Sequence, residues 1–348
     1  MNRFFLRRMG AVAGLVAVLF SAGCHTPEAA RTRVYTNPVW DGYLADPAVL
    51  HWNGEWYVYG TGDENATNGG WQFPILHSRD FVNWESSGYA LAPLTNADYK
   101  EYWAPEVTER DGKFYLYYAA NRRMRVATSD HPLGPFRDCG VYLFPDLPFA
   151  IDGHPFKDPD TGEWYLYFAR DFLYVARVGT GLSVVRLGDD MMSVKGPVKT
   201  VLTAFADWQI YERNREMYGK TYDWHTVEGP WVVKRGGLYY CFYSASNWQT
   251  PQYGVGYAVA TNPMGPWKDG GNAEGARVLN GIGNGLIGPG HNSLVVGPDG
   301  KTDYIIYHSW NPERTRRMMC LDPIEWTEHG PRAVNPSLGE KQLRFLAE

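Results

Sequence analysis

A short aromatic strand recurs five times along the chain, and this repeat limits the fold more than any other feature. The copies occupy residues 56–59, 114–118, 164–168, 238–243 and 304–308. A glycine turn precedes each copy, and a β-prone run precedes each turn, so the repeating unit is strand, tight turn, strand. Successive copies lie about 50 to 75 residues apart, close to the period of propeller blades.

A five-bladed β-propeller accounts for this repeat, because a four-stranded blade cannot bury both faces alone and must stack on its neighbours in a ring. The 38 Gly and 23 Pro residues argue against a fold of long helices. We therefore predict an all-β chain in which residues 34–348 form one five-bladed propeller. A β-sandwich does not require five copies of one hairpin. The insertion at residues 207–222 is interpreted either as a short helix or as a loop.

The N-terminal residues have the pattern of an export signal. Three Arg residues lie within the first eight positions, and the apolar stretch at residues 11–20 is too short to span a bilayer. Residues 21–24, Ser-Ala-Gly-Cys, resemble the lipobox of bacterial lipoproteins. We predict a signal peptide at residues 1–23 and a flexible tether at residues 24–33 behind a lipidated Cys24. The protein would then be exported and membrane-anchored, facing the periplasm or the cell surface. An ordinary cleaved secretory signal is the alternative.

Composition narrows the class of partner. The net charge is −5 at pH 7 and the chain has no Lys/Arg tract, which argues against binding to nucleic acid or to an anionic membrane surface. Contact with a membrane is expected only through the lipid anchor. The 14 Trp and 24 Tyr residues favour a carbohydrate partner, since sugar rings stack on aromatic faces. The oligomeric state is left open.

Acidic residues occupy related positions in several repeats. Asp46, Asp152 and Glu228 lie 11, 13 and 11 residues before a Tyr of the following aromatic strand, and Glu106 and His291 are assigned to the same register. In a propeller these positions enter the innermost strands at one mouth of the axial channel, so they should converge. An acid before a strand is also an ordinary turn residue, which is the alternative for each taken alone. Paired carboxyl groups are what glycoside hydrolysis requires.

Three segments carry a resemblance to a known family. They are Tyr-Leu-Ala-Asp-Pro-Ala-Val at residues 43–49, Ala-Ile-Asp-Gly at residues 150–153 and Val-Glu-Gly-Pro at residues 227–230. Together they resemble the signature segments of glycoside hydrolase family 43, and the resemblance extends from about residue 36 to residue 326. It implies a five-bladed propeller of the inverting type that acts on polysaccharides containing arabinose or xylose.

The resemblance also implies roles for the three acids. Asp46 would be the general base, Glu228 the general acid, and Asp152 the group that tunes the pKa of the acid and orients it. An inverting enzyme places a water molecule between base and sugar, so the two carboxyl groups should stand roughly 6.5–9.5 Å apart. The acid must keep its proton near neutral pH, which requires burial or a nearby negative charge, and Asp152 is expected to supply that charge.

Further candidates surround these acids. Trp103 is expected either to stack on a sugar ring or to pack in the core, and Trp224 is expected to line the pocket. Arg317 lies where β-xylosidases of the family carry a substrate-contacting Arg, with Arg316 as its rival. His291 corresponds to a residue that contacts calcium or water on the axis in several relatives, although one neutral His is a poor calcium ligand. No cofactor is required for the chemistry, and an axial calcium ion is the alternative.

The function predicted from the sequence is an exo-acting α-L-arabinofuranosidase or β-D-xylosidase. The alternatives are an endo-arabinanase of the same family and a lipid-anchored sugar-binding propeller without turnover. A retaining fructan-type propeller hydrolase is disfavoured, because its Trp-Met-Asn-Asp-Pro signature is absent.

Overall fold

The regular structure is almost entirely β-strand. The computed structural model describes residue 1 and residues 32–66, 68–94 and 99–344. Within these ranges the only helical element is a single 3₁₀ turn, Asp207–Gln209. No helix in the described ranges has the length and apolar character needed to cross a bilayer. Cys24, the signal peptide at 1–23 and most of the predicted tether lie outside the described residues.

Five four-stranded antiparallel sheets, the blades, follow one another along the chain. Blade 1 contains β2 (Ala45–Trp52), β3 (Glu55–Thr61), β4 (Gln72–Ser78) and β5 (Glu85–Leu91). Blade 2 contains β6 (Trp103–Arg110), β7 (Lys113–Ala120), β8 (Arg123–Ser129) and β9 (Arg137–Tyr142). Blade 3 contains β10 (Ala150–Lys157), β11 (Trp164–Phe172), β12 (Gly179–Leu187) and β13 (Val194–Leu202). The aromatic repeat supplies the second strand of every blade.

Blades 4 and 5 complete the ring. Blade 4 contains β15 (Lys220–Arg235), β16 (Leu238–Ala245), β17 (Gly254–Ala260) and β18 (Lys268–Asp269). Blade 5 contains β19 (Gly290–Val296), β20 (Asp303–Trp310), β21 (Arg317–Thr327) and β22 (Gly330–Ala333). The innermost strands touch in the circular order β2, β6, β10, β15, β19 and back to β2. A separate hydrophobic cluster fills each of the five interfaces between neighbouring blades. The five-bladed prediction is therefore confirmed.

The insertion at residues 207–222 begins with the short 3₁₀ turn Asp207–Gln209, and the rest of it is a β-hairpin, which was not expected. After the 3₁₀ turn, β14 (Ile210–Met217) pairs with the first part of β15 as an antiparallel hairpin. β15 also runs briefly parallel to β12, so the insertion is tied to blade 3 as well as blade 4. That contact is close: a Cβ on Gly179 would lie 2.0 Å from the carbonyl oxygen of His225, so only glycine fits there. Aromatic and charged residues make this hairpin part of the site described below.

The two ends of the chain fasten the ring together. β1 (Thr32–Asn37) pairs antiparallel with β23 (Gly339–Arg344). The pair stands beside blade 5 instead of forming a strand within it. The buried Asn37 amide joins the pair to that blade, accepting from the N–H of Leu321 at 3.0 Å and donating to its carbonyl oxygen at 2.8 Å. Because β1 begins at Thr32, the tether predicted at residues 24–33 is two residues too long.

A β-bulge interrupts the innermost strand of every blade at the same place. In each bulge two residues oppose one on the neighbouring strand, and the first of the two has a left-handed backbone. These first residues are Asp46 (φ 51°), Ala104 (φ 45°), Asp152 (φ 56°), Gly229 (φ 58°) and His291 (φ 48°). A left-handed backbone is uncommon for residues other than glycine and is found preferentially at functional sites. The repeat therefore points five bulges toward one end of the channel.

Candidate active site

The bulges open into a cavity of about 790 Å³. All five blades and the β14–β15 hairpin contribute residues to its wall. The three acids predicted from the sequence, Asp46, Asp152 and Glu228, all lie in this wall. Residues that are 182 positions apart in the chain are thus brought into one concave site by the ring.

The register predicted for the acids is correct for some blades and wrong for others. Asp46, Asp152 and His291 occupy the first bulge position as expected. In blade 2 that position holds Ala104, and Glu106 lies two residues further along the strand, so its assignment to the ring of acids was wrong. Glu228 lies one residue before the bulge, which begins at Gly229. All five blades have the same bulge, so the error comes from the reference residue. Tyr115 and Tyr240 are the equivalents of Tyr57, and the residues 11 positions before them are Ala104 and Gly229.

Side chains from the preceding blade satisfy the amides of most bulges. The Asp46 amide donates to Nδ1 of His308 at 3.1 Å, and the His291 amide donates to Oγ of Ser244 at 2.7 Å. The Ala104 amide donates in the same way to Thr61 at 2.8 Å. Thr61, Ser244 and His308 face the start of the bulge within their own blades. In these three blades, the residue that faces the start of the bulge therefore pairs within its own blade and also accepts a hydrogen bond from the next blade.

A cation and two imidazoles surround the carboxylate of Asp46. Nη1 of Arg317 donates to Oδ1 at 3.0 Å, and Nδ1 of His291 and Nδ1 of His308 lie 3.4 and 3.3 Å from the same oxygen. His308 is fully buried, and because its Nδ1 accepts the amide of Asp46, its proton lies on Nε2. Arg317 also lies with its guanidinium carbon 4.4 Å from the ring of Trp248. The permanent positive charge beside Asp46 is therefore that of Arg317.

These neighbours keep Asp46 ionised. Burial by itself would raise the pKa of Asp46, but the charge of Arg317, with smaller contributions from His291 and His308, holds that pKa well below its usual range. Burial lowers the pKa of His308 to about 4 and lowers that of His291 as well, so both imidazoles are neutral near pH 7. A carboxylate that stays ionised in a buried site has the properties of a general base.

Glu228 has the opposite character. Burial, with an added contribution from the negative charge of Asp46, raises the pKa of Glu228 to about 7. Two groups oppose this rise: Tyr253, whose hydroxyl donates to Oε1 at 2.8 Å, and the charge of Arg317. The neighbouring Gly229 packs against His291, because a Cβ there would lie 3.2 Å from the imidazole ring. A carboxyl group with a pKa near 7 can hold a proton and release it during a reaction.

Asp152 is coupled to this acid through the backbone and through charge. Its Oδ2 accepts the amide of Gly229 at 3.0 Å, which joins blade 3 to the residue after Glu228. Burial, followed by the charges of Glu228 and Asp46, raises the pKa of Asp152 well above its usual value. Asp152 and Glu228 therefore repel each other as anions and retain a proton between them. The charge of Asp46 also raises the pKa of Glu228, which the sequence did not indicate.

A second buried pair lies one step deeper along the inner strands. Glu106 and His154 are joined by a 2.7 Å contact between Oε2 and Nδ1. Nε2 of His154 accepts the amide of Val232 at 3.0 Å, so the imidazole proton lies on Nδ1 and is donated to Glu106. Burial raises the pKa of Glu106, and its charge contributes to the raised pKa of Asp152. The pair links blades 2, 3 and 4 below the cavity.

The remaining candidates are distributed as follows. Trp103 lines the cavity and donates from Nε1 to Glu64 at 3.0 Å. It also packs on the cluster between blades 3 and 4, so it is accessible from the cavity and contacts the core as well. Trp224 lines the cavity from β15 and is 3% exposed. Arg317, and not Arg316, faces the cavity, because Arg316 extends toward Asp41 at 3.5 Å. Stacking of Trp103 and Trp224 on a sugar stays a prediction.

The groups around His291 do not match an oxygen-coordinated metal site. Calcium prefers six to eight oxygen ligands. Within the described ranges no cluster of three or more His, Cys, Asp or Glu side chains is arranged to hold a metal ion. The carboxylate next to His291 belongs to Asp46, which is already paired with Arg317. No step of the chemistry is therefore derived through a metal.

Two residues of the site were missed in the sequence. His308 ends the fifth aromatic strand, where the other blades have Thr61, Ala119, Ala169 and Ser244, and an alignment of those strand ends would have singled it out. Tyr253 lies outside the repeat and has no sequence signal of its own. It is 1% exposed and stacks on His308 with ring centroids 5.8 Å apart, so it connects the acid to the surroundings of the base.

Comparison with known proteins places this geometry in a family. Residues 35–331 match the model of glycosyl hydrolases family 43. Beta-D-galactofuranosidase xynD of Aspergillus niger is 30% identical over 319 residues, covering 84% of this chain and 83% of that protein. The extracellular exo-alpha-(1->5)-L-arabinofuranosidase of Streptomyces chartreusis is 28% identical, covering 88% and 91%. Some relatives are longer, and the chain spans half of the arabinoxylan arabinofuranohydrolase of Bacillus subtilis.

Solved structures agree with the sequence comparison. A thermostable family-43 glycoside hydrolase superposes with a TM-score of 0.75 at 30% identity, over 87% of this chain and 97% of that one. A protein of Bacteroides thetaiotaomicron described as an endo-1,4-beta-xylanase superposes with a TM-score of 0.70 at 31% identity, over 87% and 98%. With its propeller, its three acids in one cavity and its match along most of the chain, this protein belongs to glycosyl hydrolase family 43 and is a glycosidase.

Proposed function

We propose that the protein is an inverting, exo-acting glycosidase that releases terminal L-arabinofuranose or D-xylose from plant-type glycans. One observation carries this proposal: a single cavity holds an ionised carboxylate, Asp46, and a carboxyl group with a pKa of about 7, Glu228. Hydrolysis with inversion requires one group that accepts a proton from water and another that donates a proton to the leaving oxygen.

The proposed reaction divides the proton transfers between the two sides of the cavity. Asp46 takes a proton from a water molecule, whose oxygen forms a bond to the anomeric carbon from the face opposite the leaving group. The glycosidic bond breaks at the same time, and its oxygen receives the proton of Glu228. Asp152 positions the acid through the amide of Gly229 and helps to keep the proton on the pair. Both carboxyl groups return to their starting states by exchange with solvent.

The shape of the cavity supports exo action. Its wall comes from all five blades, and the β14–β15 hairpin adds Tyr211, Arg215 and Tyr218 on one side. A wall that surrounds the site on all sides favours binding the end of a chain over binding its middle. The similarity to an exo-acting arabinofuranosidase of Streptomyces chartreusis supports the same assignment. An endo-arabinanase, the alternative, would lower the viscosity of linear arabinan before monosaccharide accumulates.

A second sugar has specific support. The relative of Aspergillus niger is named as a β-D-galactofuranosidase, and α-L-arabinofuranose and β-D-galactofuranose have the same arrangement of substituents around the ring. Purified protein should therefore be assayed on 4-nitrophenyl α-L-arabinofuranoside, β-D-xyloside and β-D-galactofuranoside. Hydrolysis of at least one, with proton NMR showing an inverted first product, is the expected result. A retained anomer would overturn the role of Asp46, and the absence of hydrolysis would favour the sugar-binding alternative.

We further propose that the protein is an exported lipoprotein anchored through Cys24. The sequence of residues 21–24 and the basic, apolar segment before it support this assignment. Cys24→Ser should move the protein from the membrane fraction to the soluble fraction while kcat/KM stays unchanged, since Cys24 precedes β1. Fractionation followed by immunoblotting measures this. If Cys24→Ser stays in the membrane fraction, the lipidation site is wrong.

A further inference from the structure

A second, smaller cavity adjoins the active cavity. Its volume is about 310 Å³, and it shares four wall residues with the active cavity, namely Pro148, Phe149, Asp171 and Tyr218. The rest of its wall comes from Leu147, from Arg170 and Phe172 at the end of β11, and from the connection to β12 at residues 173–175. Asp46, Asp152 and Glu228 take no part in it. The partition between the cavities is therefore made of blade 3 and the hairpin tip.

Tyr218 stands in this partition in an unfavourable backbone conformation. It forms the tip of the β14–β15 hairpin with Gly219, and both residues have positive φ, 53° and 72°. Asn, Asp or Gly are preferred at such a position, and a left-handed backbone is unfavourable for an aromatic residue. Its hydroxyl donates to Oδ2 of Asp171 at 2.6 Å, and its ring lies beside that of Trp224. The hairpin tip therefore has a Tyr in a strained backbone conformation, and its side chain lines both cavities.

Asp171 supplies the polar part of the partition. Its Oδ1 accepts the hydroxyl of Thr180 at 2.9 Å, and its Oδ2 accepts that of Tyr218. Each carboxyl oxygen still has a lone pair for a further donor, such as a sugar hydroxyl. The negative charge of Asp171 is matched by the positive charge of Arg170 in the same wall, so the wall has no net preference for an anion or a cation. The second cavity is therefore suited to a neutral molecule that carries hydroxyl groups.

Aromatic and cationic side chains form the opposite wall. Tyr174 is 99% exposed, so its ring contributes little to the packing of the protein. The guanidinium carbon of Arg170 lies 4.3 Å from the centre of the Phe172 ring, and Nε donates to Ser183 at 2.7 Å. The other nitrogens of Arg170 make no hydrogen bond that the structure records among the residues it describes. Aromatic faces together with an Arg and an Asp are suited to the C–H faces and hydroxyls of a sugar.

We propose that this second cavity binds a further sugar unit of the same neutral glycan whose terminal sugar occupies the active cavity. The proposal rests on the proposed function and extends it, since it makes the substrate an oligosaccharide that is recognised at two places. The volume is at the lower end of that of small-molecule sites, which fits one sugar unit and not a long chain. Because they share wall residues, the two cavities are neighbours, and two units of one glycan can occupy them together.

The test compares substrates that reach one cavity or both. Tyr174→Ala should lower kcat/KM for an oligosaccharide of three or four neutral sugars about fivefold to tenfold, mainly through KM, as expected for the loss of one stacking contact. The glycosyl fluoride of the same terminal sugar has no second unit, so its kcat/KM should change less than twofold. Ile282→Ala is the matched control, because Ile282 is 86% exposed and lines neither cavity. It should alter neither rate.

Binding without turnover provides a second measurement. In an Asp46→Asn background, calorimetry should show that Tyr174→Ala weakens binding of the neutral oligosaccharide about fivefold to tenfold, whereas Ile282→Ala leaves it unchanged. Equal losses on oligosaccharide and fluoride, or no loss on either, would overturn the second site. If the unmodified protein hydrolyses no glycoside, the proposed function fails first, and the two failures are distinguishable.

Discussion

The two sides of the active cavity treat buried carboxyl groups in opposite ways. On the side of blades 5 and 1, Asp46 is 8% exposed and its pKa lies well below the usual range. On the side of blades 3 and 4, Asp152 is 2% exposed and its pKa lies well above it. Both residues occupy the same bulge position with nearly the same φ, 51° and 56°. Burial and backbone therefore do not account for the difference.

The charged groups next to the two residues account for the difference in their pKa values. Asp46 faces Arg317, whereas Asp152 faces a second carboxyl group, Glu228, and has one backbone amide as compensation. Burial weakens solvation on both sides and so strengthens whichever charge stands nearby. Placing one Arg on one side of a ring of acids is thus enough to separate a base from an acid. The variants below remove this separation step by step.

The largest effect is expected when either side loses its titrating group. Asp46→Asn and Glu228→Gln should each lower kcat about 10²–10⁴-fold on an unactivated glycoside, because one proton transfer is lost. An aryl substrate with a good leaving group distinguishes them. Glu228→Gln should keep much of its rate on that substrate, since the leaving group needs little protonation, whereas Asp46→Asn should stay slow.

Steady-state kinetics on the two substrates measures this difference. Circular dichroism and the melting temperature of each variant serve as controls for folding. If both variants recover equally on the activated substrate, the two sides of the cavity do not divide the proton transfers as proposed.

The next largest effect is expected when the positive charge that distinguishes the Asp46 side of the cavity from the Glu228 side is removed. Arg317→Met should raise the pKa of Asp46 by about 1–3 units, so the acidic limb of the pH–rate profile moves to higher pH. Arg317 also lowers the pKa of Glu228, so the alkaline limb should move to higher pH as well. Because the pKa of Asp46 starts well below its usual range, the base should still be ionised at pH 6, and the loss of kcat/KM should appear at lower pH. Arg316→Met is the matched control, since Arg316 lies outside the cavity, and a profile identical in both variants would contradict the role of Arg317.

Smaller and opposite shifts are expected on the acid side. Tyr253→Phe removes a hydrogen bond that lowers the pKa of Glu228, so the alkaline limb should move to higher pH by about half a unit to one unit. Asp152→Asn keeps an acceptor for the amide of Gly229 but removes the repelling charge, so the same limb should move to lower pH. Tyr117→Phe, a buried Tyr that bonds to Met191, is the control. Shifts of the same sign in both variants would show that the pair is not coupled.

The sequence predicts the repeating parts of this molecule better than the parts between them. The aromatic strands could be found because each blade buries its second strand between two neighbours and so requires the same residues five times. The three acids could be found because each lies in a segment that resembles the family, whereas the repeat alone also selected Glu106. The insertion at residues 207–222 has no second copy, and its hairpin depends on pairing with β12 and β15, which no local pattern indicates.

The details of the site depend on backbone geometry that cannot be read directly from the amino-acid sequence. Glu106 and Asp46 each lie 11 residues before a Tyr of their own aromatic strand, but Tyr117 pairs with Glu106 itself whereas Tyr57 pairs with Leu50, so the two Tyr residues are not equivalent. His308 and Tyr253 reach the site from other blades and loops, and neither has an acidic or motif signature. The spacing of the repeat predicts which strands meet around the channel. The contacts between blades determine the pKa of each carboxyl group.

The pairing of β1 with β23 has a consequence for the order in which the molecule assembles. Asn37 and Gly339, which face each other in this pair, are 302 positions apart, so β1 has no partner until almost the whole chain has emerged. Contacts of such separation form late, because the entropy of closing the loop is lost before the contact is gained. The blades in between consist of neighbouring hairpins and can form from the N-terminal end onward. Completion of the ring, and with it the pairing of Asp46 in blade 1 with Arg317 in blade 5, therefore belongs to the last stage of folding.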